Sequence, residues 1–413
     1  MMDEPAIGLE RAAADGYDLR ASSEHLGRFE LQGWDLNADE TMRFTHLNGP
    51  QFFRHAWVHR TGPISHLRER VDRDLGTTQA ATPLGLLTLD DWIEGGPVDG
   101  YLVLHHGDIV YERYPRMRPF DKHHWWSTRK ALVGAIVAIL EGAGRVDVDA
   151  PVETYVSGLA DTAWHGVPVI DVLDMASGTA AVEVDDPAAL TDDTSPYYRY
   201  ESTVGNRPSV PGVPASTYEY VAGLPRHRPN GEAYEYTTVN TFVLTWLVEE
   251  VAERPFPEAI SELVWRRIGA ESDAVTMVSH TGASSTINST LRDLGRFGML
   301  YTPSWSTVTS DRLITDRHLD KLRNGGRPEI FARAGAGRLL NELLTDDPPA
   351  HNTYQWDFVM PDGDMFKGGH NGQGLYISPD RDLVIAFFGS GDDGSIFTSM
   401  KLARSIALTM LSP

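Results

Sequence analysis

The stretch "GLYISPDRDLVIAFFGS" (374–390) constrains the fold of this chain more than any other. Two runs of β-branched and aromatic residues flank "SPDRD", a cluster of turn formers, and the pattern predicts an antiparallel hairpin. A second pair of β-rich runs, "YLVLHHGDIVYERY" (101–114), stands far upstream around a His-Gly-Asp turn. Between the hairpins the chain reads as helices. "NTFVLTWLVEEVAE" (240–253) predicts one, and "INSTLRDLGRFGMLY" (287–301) predicts another with Asn288 or Ser289 as N-cap. "LTLDDWIEG" predicts a short helix before the first hairpin. "PVIDVLDMASG" predicts another that ends at Gly178, and residues 395–411 predict a terminal helix. Strands near both ends and helices in the middle give a mixed α/β chain, with no internal repeat. Residues 1–85 read as an irregular extension, rich in charge and without a sustained period. The stretch of about 180–215 is too long for an ordinary connector and predicts a functional loop or lid.

Charge excludes some functions. Lys plus Arg is 36 and Asp plus Glu is 58, a formal net charge of −22. Binding to phosphate backbones needs a basic footprint, so neither a nucleic acid nor an anionic membrane surface is an expected partner. The chain has no cysteine, which removes disulfides, thiolate catalysis and Cys-based metal sites. The acidic N-terminus has no apolar core like that of a signal peptide, and the apolar run at 131–140 is too short to span a bilayer. The expectation is a soluble cytoplasmic protein.

The chemistry is concentrated in "HHWWSTRKALVGAIVAILEGAGRV" (123–146). Ser127 and Lys130 form S-x-x-K at the start of an apolar helix. Residues i and i+3 share a helix face, so the amine can reach the hydroxyl. The helix N-terminus favours negative charge developing on the serine oxygen. In a dry setting the ammonium is disfavoured, and the amine can act as a base. The alternative is a serine N-cap beside a chance lysine. The chain's lysine usage weighs against chance. Only five lysines occur, Lys122, Lys130, Lys321, Lys367 and Lys401, in a chain that otherwise writes arginine. Lysine can lose its proton when buried and arginine cannot.

Two further stretches carry reactive side chains. "GEAYEYTTVNTFVL" places Tyr234, Tyr236, Thr238 and Asn240 just before a helix. A tyrosine there can pass a proton between nucleophile and leaving group, helped by a lysine that lowers its pKa, or it can simply be a core residue. "FKGGHNGQGLYISP" puts Lys367 and several glycines ahead of a strand. Its glycines allow a substrate to approach the backbone, and an N–H there can complete an oxyanion hole with that of Ser127. The bland reading is a glycine-rich bend. Trp125 and Trp126 read as pocket wall or as core. His105, His106, His123 and His124 come in adjacent pairs, which point to opposite strand faces, so no metal is expected. No cofactor motif appears, such as a P-loop or a G-x-G-x-x-G opening a helix.

S-x-x-K, then a tyrosine motif, then a K-[ST]-G position ahead of a C-terminal hairpin is the order of the serine β-lactamases and penicillin-binding proteins. Here these positions hold "STRK", "YTT" (236–238) and "KGG" (367–369). Within that superfamily the chain most resembles the 6-aminohexanoate-dimer hydrolases and the β-lactamase-fold carboxylesterases. The similar stretches include "PVETYVSGLADTAWHGVPVIDVLDMASG", "GEAYEYTTVNTFVLTWLVEEV" and "GGHNGQGLYISPDRDLVI". The resemblance implies a β-lactamase-like α/β (α+β) fold, an antiparallel sheet from both chain ends flanked by helices. Residues 86–150 and 276–413 would build the sheet domain, and 151–275 a helical region.

By the same resemblance Ser127 is the nucleophile, Lys130 its base and Tyr236 the proton relay. The backbone N–H groups of Ser127 and His370 form the oxyanion hole. Thr238, positioned to bond Lys130, contacts substrate together with Trp126, Lys367, Gly369 and Asn371. Two departures bear on specificity. Gly368 lacks the hydroxyl of K-[ST]-G, and Val184 stands where the nylon-oligomer enzymes carry a tyrosine, so Tyr197, Tyr198 or Tyr200 would have to substitute. The implied reaction is hydrolysis of a small amide or ester through an acyl-enzyme, with no cofactor. An acyltransferase, a transesterase or a D-amino-acid peptidase could use the same residues, and a non-catalytic binding protein could keep the fold. A homo-oligomer is left open.

Overall fold

The structure, a computed structural model, describes residues 24, 26–36 and 40–409. The acidic N-terminal stretch and the last two residues of the expected terminal helix lie outside the described residues. The two sequence hairpins meet: Leu383–Gly389 runs antiparallel to Val98–His105, with Ile385 opposite Val103 and Phe387 opposite Tyr101.

In chain order the strands begin with β1 (His55–Val58), β2 (Gln79–Thr82) and β3 (Gly85–Thr88), followed by β4 (Val98–His105) and β5 (Asp108–Arg113). The short β6 (His123–His124), then β7 (Ala274–Val278) and β8 (Ser284–Ser289), come next. Last are β9 (His351–Thr353), β10 (Trp356–Val359), β11 (Met365–Gly369), β12 (Gln373–Ser378) and β13 (Leu383–Gly389). One seven-stranded sheet has the order β5-β4-β13-β12-β11-β10-β9, and a four-stranded sheet the order β1-β7-β8-β6. The seven-stranded sheet is antiparallel throughout.

Alternation sorts the sheet's side chains between two cores. Leu102, Leu104, Leu375, Ile377, Val384 and Ala386 face one of them. Tyr101, Val103, Tyr376, Ile385 and Phe387 face the other. Both faces are buried, which is why these strands read as nearly continuous apolar runs.

Seven helices matter here: α1 (Glu40–Asn48), α2 (Leu89–Gly95), α3 (Arg129–Gly142), α4 (Pro196–Val204), α5 (Thr238–Ala252), α6 (Leu291–Met299) and α7 (Asp393–Thr409). α6 packs on β4, β12 and β13, and α7 packs on the second core side of the same sheet. α6 lies very close to the sheet. A Cβ on Gly298 would sit 2.5 Å from Val384 Cγ1 and 3.1 Å from Leu375 Cδ1.

Four sequence expectations change. The helix expected over 287–301 starts at Leu291, because Asn288 and Ser289 are paired in β8 opposite His124 and His123. Its cap is Thr290, whose Oγ1 accepts from Asp293 N at 3.2 Å, and not Asn288 or Ser289. The helix expected at Ser127 begins as a 3₁₀ turn, Trp126–Thr128, before α3. The loop of about 180–215 contains α4, with Ser195 as its cap, Pro196 in its first turn and Gly205 at φ +91° closing it. The first 85 residues are not irregular throughout. α1, β1 and β2 form there, and β1 finds its partner β7 far along the chain. Elements this short leave no sustained periodic trace. No helix among the described residues is long and apolar enough to cross a membrane.

The close approach of α6 to the sheet makes a prediction. Gly298→Val should destabilise the protein by about 1–3 kcal/mol through overpacking, seen as a lower thermal midpoint. An unchanged midpoint would mean that α6 can lift from the sheet at no cost.

Candidate active site

The site is built around a strained turn. Trp126 has φ +46°, a left-handed conformation that a bulky residue rarely adopts. The strain turns the chain between β6 and α3 and leaves Ser127 at the rim of a cavity. The surroundings hold Trp126 in place. Its ring stacks on Trp34, with centroids 5.0 Å apart. Its Nε1 donates to His46 Nε2 at 3.0 Å. Burial drives the His46 pKa well below its ordinary value, so the ring is neutral and can accept that bond. Behind His46 lies Ser390, whose hydroxyl donates to Asp99 at 2.5 Å. Arg43 and His123 also bond Asp99. α1, from the region read as an extension, thus supplies Arg43 and His46 to the support of the turn.

Lys130 Nζ lies 2.5 Å from Ser127 Oγ. The lysine is 1% exposed. Burial, with Lys367 and Arg129 nearby, lowers its pKa to about 7, although Glu183 opposes the shift. The amine is therefore substantially neutral near neutral pH. Tyr236 packs between two lysines, with the Nζ atoms of Lys130 and Lys367 each 4.6 Å from its ring centroid. Lys367 Nζ donates to the Tyr236 hydroxyl at 3.0 Å and is ion-paired to Asp357. The lysines do not lower the tyrosine pKa as expected. Burial first, and then the charges of Asp357 and Glu183, push it well above 10. Tyr236 is thus a neutral phenol that can donate a proton.

The cavity over Ser127 has a volume of about 80 Å³. Trp126, Thr238 and His370 line it with Ser127 and Lys130. Lys367 does not line it; fully buried, it stands behind Tyr236. Gly369 and Asn371 do not line it either. Gly369 serves packing: a Cβ there would lie 2.6 Å from the Trp125 carbonyl and 3.0 Å from Thr128 Oγ1. The end of β11 therefore lies flush against the turn that carries Ser127. Asn371 has φ +68°, and its Nδ2 donates to Gly391 O at 3.2 Å, away from the cavity. Thr238 does not bond Lys130. Its hydroxyl donates to Glu183 Oε2 at 2.8 Å and accepts from Tyr197 OH at 3.1 Å. Val184 is largely exposed, while its neighbour Glu183 enters the cavity. Of the three loop tyrosines, Tyr197 and Tyr200 line the cavity and Tyr198 does not. Trp125 is a core residue, with Nε1 bonded to Ser289 Oγ at 2.9 Å.

Sequence reasoning missed Glu183, Asp357, His46, Asp35 and Arg129. Asp357 left a signal, being a lone acid inside an apolar strand. Arg129 left one too, as a second cation inside the S-x-x-K of an apolar helix. His46 and Asp35 left none, because only folding brings them to the site.

The β-lactamase family model matches residues 94–408. The chain belongs to that family and is a hydrolase of its fold. It is 30% identical over 389 residues to the 6-aminohexanoate-dimer hydrolase of Paenarthrobacter ureafaciens, covering 91% of this chain and 94% of that protein. Among solved structures, a candidate 6-aminohexanoate-dimer hydrolase from Bacillus anthracis superposes with a TM-score of 0.76 at 21% identity, over 94% of this chain and 99% of that one. EstCE1, a hydrolase with promiscuous acyltransferase activity, superposes at 0.56 and 12% identity, over 77% of this chain and 96% of its own.

The support of the turn is testable. His46→Leu should leave the partly buried Trp126 N–H without an acceptor and cost about 0.5–1.5 kcal/mol. Chemical denaturation would read this as a lower midpoint, and an unchanged midpoint would show that the turn does not depend on His46.

Proposed function

We propose that the chain hydrolyses a small amide or ester through an acyl-enzyme on Ser127. The observation that carries this is the 2.5 Å contact between Ser127 Oγ and an amine held near neutrality, at the edge of a cavity. Lys130 takes the Ser127 proton as Oγ attacks the substrate carbonyl carbon. The resulting oxyanion is met by the backbone N–H groups of Ser127 and His370. Collapse of the tetrahedral intermediate expels the amine or alcohol. Tyr236 donates a proton to that leaving group and regains one from Lys130. Water then attacks the ester carbon and gives a proton to Lys130; the C–Oγ bond breaks, Lys130 returns that proton to Ser127 Oγ, and the acid is released.

Tyr236 suits proton donation because its phenol stays protonated, and Lys367 with Asp357 fixes its position. Thr238 and Trp126 are cavity walls that contact substrate. Amide cleavage of the 6-aminohexanoate-oligomer kind is the first substrate to assay, because the Paenarthrobacter relative is named for it and aligns over nearly its whole length. Amines or alcohols in place of water would turn the same acyl-enzyme toward transfer, and product analysis with an added nucleophile distinguishes the two.

A fluorophosphonate probe should add one mass adduct to the wild type and none to Ser127→Ala. A labelled Ser127→Ala would place the nucleophile elsewhere. Lys130→Ala should slow turnover at least ~100-fold with folding retained; near-normal turnover would remove Lys130 as the base. Tyr236→Phe should slow acyl-enzyme formation. An effect on KM alone would make it a binding residue only.

A further inference from the structure

The far end of α3 borders a second cavity, of about 540 Å³, which shares no residue with the one over Ser127. Lys130 and Glu141 stand three turns apart on α3, about 16 Å along its axis. The other wall of this second cavity is the start of the helix Asp316–Asn324, capped by Thr315. The carbonyl end of one helix and the N–H end of another thus border one space, which gives it a negative side and a positive side. His318 lines it and is 5% exposed. Neither of its ring nitrogens has a hydrogen-bond partner among the described residues. The ring is fixed edge-on against Tyr354, with centroids 4.6 Å apart. Burial, with Lys321 nearby, lowers its pKa to about 3, so the imidazole is neutral and offers one donor and one acceptor. A buried polar group left unused in this way calls for an explanation.

Charges of both signs surround His318. Glu141 accepts from the Tyr354 hydroxyl at 2.8 Å and is ion-paired to Lys321. An ammonium has three N–H donors, so Lys321 keeps donors to give. Lys321 is one of only five lysines in the chain. Arg317 lies exposed at the rim on the same helix. On the α3 side, one oxygen of Asp147 accepts from Asp149 N at 3.1 Å, which leaves the other for a ligand. Ala138 and Val146 add an apolar patch. A lone anion here is repelled by Glu141 and Asp147, and a lone cation by Arg317 and Lys321. A molecule that carries both charges, with an apolar stretch between them, meets attraction at each end.

We propose that this second cavity is a binding site for a short zwitterion, an amino acid whose carboxylate is held by Arg317, Lys321 and the His318 N–H, and whose ammonium is held by Asp147 beside the carbonyl end of α3. The site stands apart from the reading of Ser127. Where that reading also holds, an aminohexanoate product belongs to this ligand class, and the cavity receives it at the far end of the helix that carries Lys130.

The test titrates the full chain, labelled in its histidines, with 6-aminohexanoate and follows the imidazole signals by NMR. The His318 signal is the one lost in His318→Gln. It should shift saturably, and it should shift equally in Ser127→Ala. Hexanoate and hexylamine, which each lack one charge, should bind at least about 10-fold more weakly, the low end for a charge-assisted bond. Arg317→Ala and Asp147→Asn, both at exposed positions, should each weaken 6-aminohexanoate binding by a similar factor. Should His318→Gln fail to fold, calorimetric titration of these two variants against the wild type makes the same comparison. A His318 signal that moves with none of the three probes would overturn the site and leave water as its occupant. Equal binding of hexanoate and 6-aminohexanoate would overturn the zwitterion. Absence of a fluorophosphonate adduct on the wild type would overturn the reading of Ser127 and leave this site standing.

Discussion

The site depends on keeping one lysine dry. An ammonium in contact with Ser127 would leave the serine a poor nucleophile, whereas a buried amine makes it a strong one. Dryness is supplied by packing. α3 is buried along nearly its whole length between α5 and the sheet, so its first turn is shielded from solvent. The other cations, Lys367 and Arg129, add to the effect by repelling a proton from Lys130. Lys367 remains tied to Asp357, so its charge is held in place behind Tyr236.

The turn at Trp126 is the second constraint, and it follows from the first. A regular helix entry would bury Ser127 with the rest of α3. The left-handed residue lifts the serine to the cavity, and the strain is offset by the stack on Trp34, the bond to His46 and the flush contact with Gly369. These come from a loop, a helix and a strand that are far apart in sequence, so the position of Ser127 is a property of the whole fold. α1 and the Trp34 region take part in the site as well as in packing.

Much of this was legible in the sequence. The hairpins at 101–114 and 374–390 carried runs of β-branched and aromatic residues around turn formers, and both formed where expected. S-x-x-K could be read because its meaning is local: a spacing of three on a helix needs no tertiary information. What failed was non-local. Asn288 and Ser289 look like caps, and only the pairing of β8 with β6 shows that they are strand residues. Thr238 looked like a partner for Lys130 until Glu183 took its hydroxyl. The direction of the Tyr236 shift was also misjudged. A sequence reveals a lysine nearby but not the burial and the two acids that outweigh it.

The central claim is that Lys130 is the base because it is neutral near pH 7. The most direct test is the rate of fluorophosphonate labelling of Ser127 as a function of pH, in wild type and in Lys130→Ala. A base works when unprotonated, so the wild-type rate should rise with pH through an inflection near 7 and then level off. The variant should lose that inflection and label far more slowly. A wild-type rate that is flat across this range, or a variant with the same profile, would contradict the account.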